Sequence, residues 1–545
     1  MNGNMMQMPL LISALIRHAD RYHGDVEIVS RPAPGRSFRY TYRDAHHQAR
    51  RLAKALLALG IRTSSRVATL AWNTHRHFEL YFGASGIGAV IHTINPRLFP
   101  EQVEYIVNHA EDELMFFDPA FLPLVERIAP RCPSVRKWIA LCDRDGVPAS
   151  ALPLGCYDEV VDAQDDDYAW PQFDENTAAS LCYTSGTTGN PKGALFAHRS
   201  TLLHTFGICL PDGLALSARD VIMPVTPMFH VFSWGLPYGA AMVGAKLVLP
   251  GAQLDGASLY EFFEKEAVTL SSGVPTVWLG LLQHLEANKL ALTTLKRLII
   301  GGSACPPAMF DKFAALGIDV IHAWGMTETS PVSTTNQPKA KHAALPAEAF
   351  RKLRTKQGRP GFGVDLKIVD GEGRELPRDG VAFGDLMVRG PWVVAGYFKG
   401  AGGDVLRDGW FPTGDVATLD ADGFVQITDR SKDIIKSGGE WISSIEIENF
   451  AIAHPDVAEA AVIGVAHSKW DERPLLVIVR KEGAAVSRGE MLDFLRSKVV
   501  KWWLPDDVIF VDSLPHTATG KLSKLMLRQQ LKDYRWPEAA AAAGR

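Results

Sequence analysis

The chain has 545 residues, more than a single hydrophobic core holds, so two or more domains are expected. It is 47% hydrophobic and 22% charged, the balance of an ordinary globular protein, and its formal net charge of -4 excludes the basic field of a nucleic-acid binder. Its six cysteines (Cys132, Cys142, Cys156, Cys182, Cys209 and Cys305) form no C-x-x-C pair and no zinc or disulfide spacing. No apolar run is long enough to span a membrane and the N-terminus lacks a signal-peptide pattern, so the expected location is the cytoplasm.

Leu10 to Tyr22 has the pattern of an amphipathic first helix. From 41 to 180 helical and strand patterns alternate: "RDAHHQARRLAKALLALG" repeats its apolar residues at helical spacing and stops at Gly60, and "RVATLAW" is a buried strand. "ASLYEFFEKEAVTLSSG" continues as helix then strand, and "LKRLIIGGSACP" as strand then glycine turn. This is layered α/β architecture. The basic stretch Arg351 to Lys356 is a solvated face. Between 360 and 430, short strands are separated by Asp379-Gly380, Asp408-Gly409 and Asp422-Gly423, the signals of hairpins. A small α/β region follows: "SSIEIENFAIAHP" helical, "VAEAAVIGVA" and "PLLVIVRK" strands, "RGEMLDFLRSKVVKWW" helical. The predicted division is a first domain over 1–430, a second over 431–535, and a disordered low-complexity tail over 536–545.

"TSGTTGNPKG", Thr184 to Gly193, is suited to phosphate. Its small residues admit backbone N–H groups to an anion, its hydroxyls donate, and Lys192 brings charge. It is not the Walker pattern. Short apolar runs lie on both sides and Pro191 precedes the Lys, so the loop joins two strands and would close over a nucleotide as a mobile flap. A Gly/Thr-rich hairpin without function is the alternative. In "AWGMTETSP", Glu328 stands between Thr327 and Thr329, an oxygen-rich setting that suits Mg²⁺. Asp415 lies between a tight turn and a strand in "GWFPTGDVATLDADGFVQITDR", and Lys521 follows Gly520 in a loop before a helix. Singly, each of these is a common surface feature.

Together and in this order, over about residues 10 to 535, these stretches resemble the acyl-adenylate-forming superfamily of acyl-CoA synthetases, luciferases and peptide-synthetase adenylation domains. Within it, "INPRLFPEQVEYIVNHAED", "PMFHVFSWGLPY" and "DIIKSGGEWISSIEIEN" are similar to bacterial medium- and long-chain fatty acyl-CoA synthetases, with methylmercaptopropionate-CoA ligases as near relatives. The resemblance implies a large N-terminal domain of helix-packed sheets with a β-barrel-like part, a small mobile C-terminal α+β lid, and a homodimer. It implies ATP, Mg²⁺ and coenzyme A: a carboxylate attacks the α-phosphorus, acyl-AMP and pyrophosphate form, and the CoA thiol displaces AMP.

The resemblance also implies residue roles. Thr184, Ser185, Gly186, Thr187, Thr188, Gly189 and Lys192 would hold the β- and γ-phosphates, and Glu328 with Thr184 would place Mg²⁺. Lys521 would bridge carboxylate and α-phosphate. Asp415 would accept the ribose hydroxyls beside Arg430. Trp324 would stack on adenine within Trp324-Gly325-Met326-Thr327, with Gly302, Ser303 and Ala304 at the base edge. Lys432 would be the hinge on which the lid rotates between half-reactions. Gly438, Gly439, Glu440 and Trp441 would line the pantetheine tunnel.

"PVTPMFHVFSWGLPYGAAMVGA" is rich in aromatic rings, holds His230, and lacks Asp, Glu, Lys and Arg. On its residues alone it is core. The resemblance puts His230 at the carboxylate end of the acyl site, places Val231 in the acyl pocket and makes Trp234 an aromatic gate. Gly235, Gly239, Gly302 and Gly325 are expected to leave room for an alkyl chain. The absence of a second cationic anchor disfavours dicarboxylates and amino acids. The reading is therefore a fatty acid–CoA ligase. The alternatives are the same chemistry on another small acid such as 3-methylmercaptopropionate, transfer to a carrier protein, and a non-catalytic acyl-nucleotide binder. The last is disfavoured because Thr184, Lys192, Glu328, Asp415 and Lys521 are all present.

Overall fold

The computed structural model describes residues 1, 3–184, 190–438, 440–516 and 522–537, without the side chains of Glu440 and Trp441. Among the described residues the strands form four sheets. A seven-stranded sheet runs in the order Leu154–Cys156, Lys137–Ala140, Leu114–Phe117, Arg66–Leu70, Val90–Thr93, Ala178–Tyr183, Gly193–Ala197. It is parallel except for its last pair, where Ala178–Tyr183 and Gly193–Ala197 form an antiparallel hairpin. A nine-stranded sheet has Asp319–Gly325, Arg297–Ile300, Leu270–Gly273 and Val221–Pro224 as adjoining parallel strands. The middle of these strands is buried, as in the apolar run Leu298-Ile299-Ile300, which fits parallel strands covered on both faces by helices.

The β-barrel-like part takes the form of an open four-stranded antiparallel sheet, Asp365–Val369, Phe383–Arg389, Phe411–Leu419, Val425–Arg430. Its last turn contains Asp422-Gly423, with Gly423 at φ 87°. A bridge from Val425 to Gly358 seats the sheet's edge on the nine-stranded sheet.

Sheet membership changes between Arg430 and Ile435. The strands Ile435–Ser437, Glu440–Ile442, Val457–His467, Asp471–Arg480 and Asp507–Phe510 form a separate five-stranded sheet. The predicted helix "RGEMLDFLRSKVVKWW" is shorter than its pattern. It ends at Arg496, and a separate 3-10 turn covers Lys501–Trp503. There Trp502 packs edge-on to Trp470 and under Arg473, whose guanidinium lies 4.7 Å from its ring. Tertiary contacts to the indole override the helical pattern of Val499 and Val500. Trp536, assigned above to the tail, donates its indole N–H to the Ala466 carbonyl (2.8 Å), so this contact holds it to the five-stranded sheet. No helix among the described residues is long and apolar enough to cross a membrane.

Candidate active site

The two ends of the phosphate-type loop lie at the turn end of the hairpin in the seven-stranded sheet. Tyr183 pairs with Gly193, and the Thr184 N–H donates to the Lys192 carbonyl (2.9 Å). The Lys192 N–H donates in turn to the Thr184 hydroxyl (3.2 Å). A strand, Gly193–Ala197, follows the Lys, so no helix N-terminus is available as in a Walker loop. Ser185, Gly186, Thr187, Thr188 and Gly189 lie outside the described residues, as do Gly439 and Lys521.

Lys192 points to a place the sequence reading did not name. Its Nζ lies 5.1 Å from the centroid of the Tyr397 ring, a cation–π contact. Gly402, at φ 85°, leaves room for it: a Cβ there would stand 2.8 Å from that Nζ. The Tyr397 hydroxyl donates to Glu328 Oε1 (2.5 Å). Glu328 is 6% exposed and its carbonyl accepts from the Val394 N–H (2.9 Å). Burial raises the pKa of its carboxyl above the ordinary value, and the Tyr397 hydrogen bond opposes that rise. Lys192, Tyr397 and Glu328 thus form one connected group. Of its groups the Glu328 carboxylate is the oxygen donor that fits a hard divalent cation; the neighbouring Thr329 hydroxyl is taken up by Met326 and the Pro331 carbonyl.

Four residues before Glu328, at the end of the strand Asp319–Gly325, Trp324 serves a second group. Its indole N–H donates to Asp415 Oδ2 (2.9 Å), and Arg430 Nε lies 2.9 Å from Asp415 Oδ1. Asp415 and Arg430 face each other in antiparallel register, and Asp415 is 2% exposed. An ionised carboxylate accepts and does not donate, so Asp415 is an acceptor of the kind that ribose hydroxyls need. The expectation gave Trp324 only a flat face; the structure adds a donor.

The acyl-type stretch is not one core helix. Val231, Phe232, Ser233, Trp234 and Gly235 all have positive φ (42°, 54°, 51°, 58° and 80°), and the helix Leu236–Val243 starts after them. Left-handed backbone costs about 1–2 kcal/mol per residue for side chains with a Cβ, so the turn must be held from outside. Asn73 binds the Pro224 and Thr226 carbonyls and the Met228 N–H, the Tyr81 hydroxyl donates to the Met228 carbonyl, and Ser233 Oγ donates to Thr226. The Asn73 and Tyr81 contacts join segments far apart in the chain, which no local pattern signals.

The turn places His230 in a small cleft with Tyr183, Phe229, Thr93 and Asn95, beside the base of the phosphate-type loop. It lays Trp234 against the backbone at Gly301, where a Cβ would be 3.4 Å from the indole ring and 2.6 Å from the Ala323 carbonyl. His230 therefore adjoins the strand end that leads into the loop, and Trp234 the backbone just before Gly302. The expectation that small residues open space fails at three positions. A Cβ on Gly235 would meet His204 (3.0 Å), one on Gly239 would meet Leu216 (2.6 Å), and one on Gly325 would run into the Pro331 carbonyl of the paired strand. These glycines permit close packing instead. Gly438 likewise lies against Trp470 and Trp502 of its own domain, at φ 58°, so a side chain there meets those rings first.

Comparisons with known proteins match nearly the whole chain. The family model for the AMP-binding enzyme matches residues 15–398, and that for the AMP-binding enzyme C-terminal domain matches 446–521. The 3-methylmercaptopropionyl-CoA ligase of Ruegeria lacuscaerulensis is 55% identical over 98% of this chain and 99% of its own. The medium-chain-fatty-acid–CoA ligase of Ectopseudomonas oleovorans is 51% identical over 98% of both. The crystal structure of the anthranilate CoA ligase AuaEII with anthranoyl-AMP superposes with a TM-score of 0.86 at 26% identity, over 99% of this chain and 100% of the other. The chain belongs to the AMP-binding enzyme family and is an AMP-forming acyl-CoA ligase.

Proposed function

We propose that this ligase activates medium- to long-chain fatty acids with ATP and passes the acyl group to coenzyme A. In the first half-reaction an oxygen of the acid bonds to the α-phosphorus, the α–β phosphoanhydride breaks, and pyrophosphate leaves. In the second, the CoA sulfur bonds to the acyl carbon and AMP leaves. Attack by one anion on another is slow unless charge is neutralised and the partners are aligned. Lys192 and the Thr184 hydroxyl hold the terminal phosphates, Asp415 and Arg430 fix the ribose, and Trp324 borders the base. Glu328, with Thr184, would hold Mg²⁺, which supplies positive charge to the phosphates. Lys521, three residues before the buried Lys524, would bridge the acid and the α-phosphate. Two geometries are needed for the two steps, so the proposal includes rotation of the C-terminal domain about Lys432, inside the 430–435 interval where sheet membership changes. A homodimer belongs to the same reading and is tested by sedimentation.

The observation that carries the choice of acid is the acyl-type segment: from Pro224 to Ala245 it contains no Asp, Glu, Lys or Arg, and nearly all of it is buried. Such walls favour an alkyl tail over a second charge. A second reading, a short thioether acid, is favoured by His204 and Leu216, which close the spaces beside Gly235 and Gly239. It is the substrate named for the Ruegeria ligase. CoA-dependent AMP release across straight-chain acids of two to eighteen carbons, with 3-methylmercaptopropionate alongside, separates the two. A maximum in kcat/KM at medium or long chains supports the first, and a maximum on the thioether acid replaces it with the second.

A further inference from the structure

The interval between Arg430 and Ile435 is bridged by a buried polar network that the chemistry above does not use. On one side is the strand Val425–Arg430, which pairs with the strand of Asp415 so that Asp429 faces Val416 and Arg430 faces Asp415. On the other side is the helix Ser444–Ile452 of the C-terminal domain. Ser443 Oγ donates to the Thr428 carbonyl (2.5 Å). The Ser444 N–H and hydroxyl both donate to Asp429 Oδ2 (2.7 and 2.6 Å). The same hydroxyl accepts from Lys524 Nζ (2.5 Å), which also pairs with Glu448 Oε1 (2.8 Å). Glu448 Oε1 accepts in addition from the Val462 N–H (2.7 Å). Asp429 and Ser444 are fully buried, and Glu448 and Lys524 nearly so. Lys524 opens the helix Lys524–Gln530, three residues after Lys521, and Arg528 of that helix pairs with Asp433 (2.7 Å) within the interval.

Lys524 and Glu448 both lie beyond residue 435, so turning at 431–434 keeps them together and their charges balanced. Asp429 lies before it. Rotation therefore separates Asp429 from Ser444 and Lys524 while leaving the Lys524–Glu448 pair intact. A buried carboxylate that loses its donors is costly, so this contact has two discrete states, made or broken. We infer that Asp429, Ser444 and Lys524 are positioning residues: they register the C-terminal domain, and with it the helix that follows Lys521, on the sheet that carries Asp415 in one of the two rotational states. The inference rests on the rotation reading above. A role confined to capping the helix Ser444–Ile452 would instead change stability alone.

The test measures the two half-reactions separately, as ATP–pyrophosphate exchange and as single-turnover thioester formation from supplied acyl-AMP and CoA, with the acid the panel selects. Ser444→Ala removes the shared hydroxyl at little steric cost. Asp429→Asn keeps the shape and removes the charge. Each is expected to change the ratio of the two half-reaction rates by about tenfold, the effect of losing one charge-assisted hydrogen bond in one of two states, and both in the same direction. Equal loss in both half-reactions with a lowered Tm, no change in either, or opposite shifts in the two variants would overturn the inference. Lys432→Pro serves as the reference, because proline fixes φ. If it leaves both half-reactions at the wild-type rate, the rotation reading fails and the inference with it. If it splits them and the other two variants do not, the inference alone fails.

Discussion

Asp415 and Glu328 are both carboxylates buried in the same domain, yet they meet positive charge differently. Asp415 has a guanidinium on one oxygen and an indole N–H on the other, both at 2.9 Å. Glu328 accepts from the neutral Tyr397 hydroxyl, and Arg430 and Lys192 act on its charge through space rather than in an ion pair. The first carboxylate is oriented and compensated before any nucleotide arrives. The second is held in place but its charge is under-compensated, and its raised pKa says so. An end that reads hydroxyls gains from being rigid and ionised. An end that must gather a cation gains from a charge still seeking its partner.

The sharpest way to break this contrast is at Asp415. Asp415→Asn removes the charge that Arg430 pairs with and turns one of the two acceptor oxygens into a donor, which then faces either Arg430 or the Trp324 N–H. Loss of about two charge-assisted hydrogen bonds corresponds to roughly 100-fold in kcat/KM for ATP. Thermal unfolding should fall as well, because a buried network is left half-satisfied. An Asn variant with wild-type ATP kinetics would remove Asp415 from the site.

Glu328→Gln should separate what Asp415→Asn joins. The amide cannot bind a divalent cation as a carboxylate does, so the Mg²⁺ concentration for half-maximal rate should rise about tenfold or more, with partial rescue at high Mg²⁺. Stability should move the other way. A carboxyl whose folded pKa is raised binds its proton more tightly in the folded state, so above its ordinary pKa its ionisation costs folding free energy that grows with pH until the folded pKa is passed. Glutamine carries no such cost. The variant should match or exceed the wild-type Tm near pH 8 while its activity falls. A lowered Tm with unchanged Mg²⁺ dependence would show that Glu328 is structural.

Trp324→Phe keeps an aromatic face and removes only the donor. If the indole N–H orients Asp415, discrimination between ATP and 2′-deoxy-ATP should drop by about tenfold, one hydrogen bond to a charged acceptor, with little change in kcat. Unchanged discrimination would mean that Arg430 alone fixes the carboxylate.

How much of this was legible in the chain depends on the reach of each contact. The strand–loop–strand around Thr184 to Lys192 was readable because apolar runs and Pro191 lie within a few residues of it, and the Asp-Gly turns between 379 and 423 were readable for the same reason. Trp324 and Glu328 were readable as a motif, but the link from Glu328 to Tyr397 crosses 69 residues and that from Trp324 to Asp415 crosses 91. Nothing near "AGYFKG" announces a ligand for a distant carboxylate. The glycines misled for a related reason: a sequence shows which residues lack a side chain, but not that His204, Leu216 and Pro331 fill the space. The left-handed turn at 231–235 was hidden because its stabilisers, Asn73 and Tyr81, lie in another helix–strand unit.

Tyr397→Phe is the mildest change and tests the electrostatic half of the comparison most directly. The hydroxyl is 2.5 Å from Glu328 Oε1 and its hydrogen bond lowers the Glu328 pKa against the rise that burial imposes. Without it the pKa rises further, because burial is then less opposed. Cation binding requires the ionised form, so the acid limb of the pH–rate profile at subsaturating Mg²⁺ should move to higher pH. The plateau at high pH should change little, because the phenyl ring still faces Lys192. Saturating Mg²⁺ should draw the limb back, since a cation that prefers the carboxylate displaces the proton. The Asp415 end predicts the contrary for its own neighbour: Trp324→Phe should leave the acid limb where it is and alter only nucleotide selectivity. If Tyr397→Phe leaves the limb fixed while lowering the plateau, the hydroxyl acts on Lys192 or the loop and not on the ionisation of Glu328, and the two carboxylates differ less than their surroundings indicate.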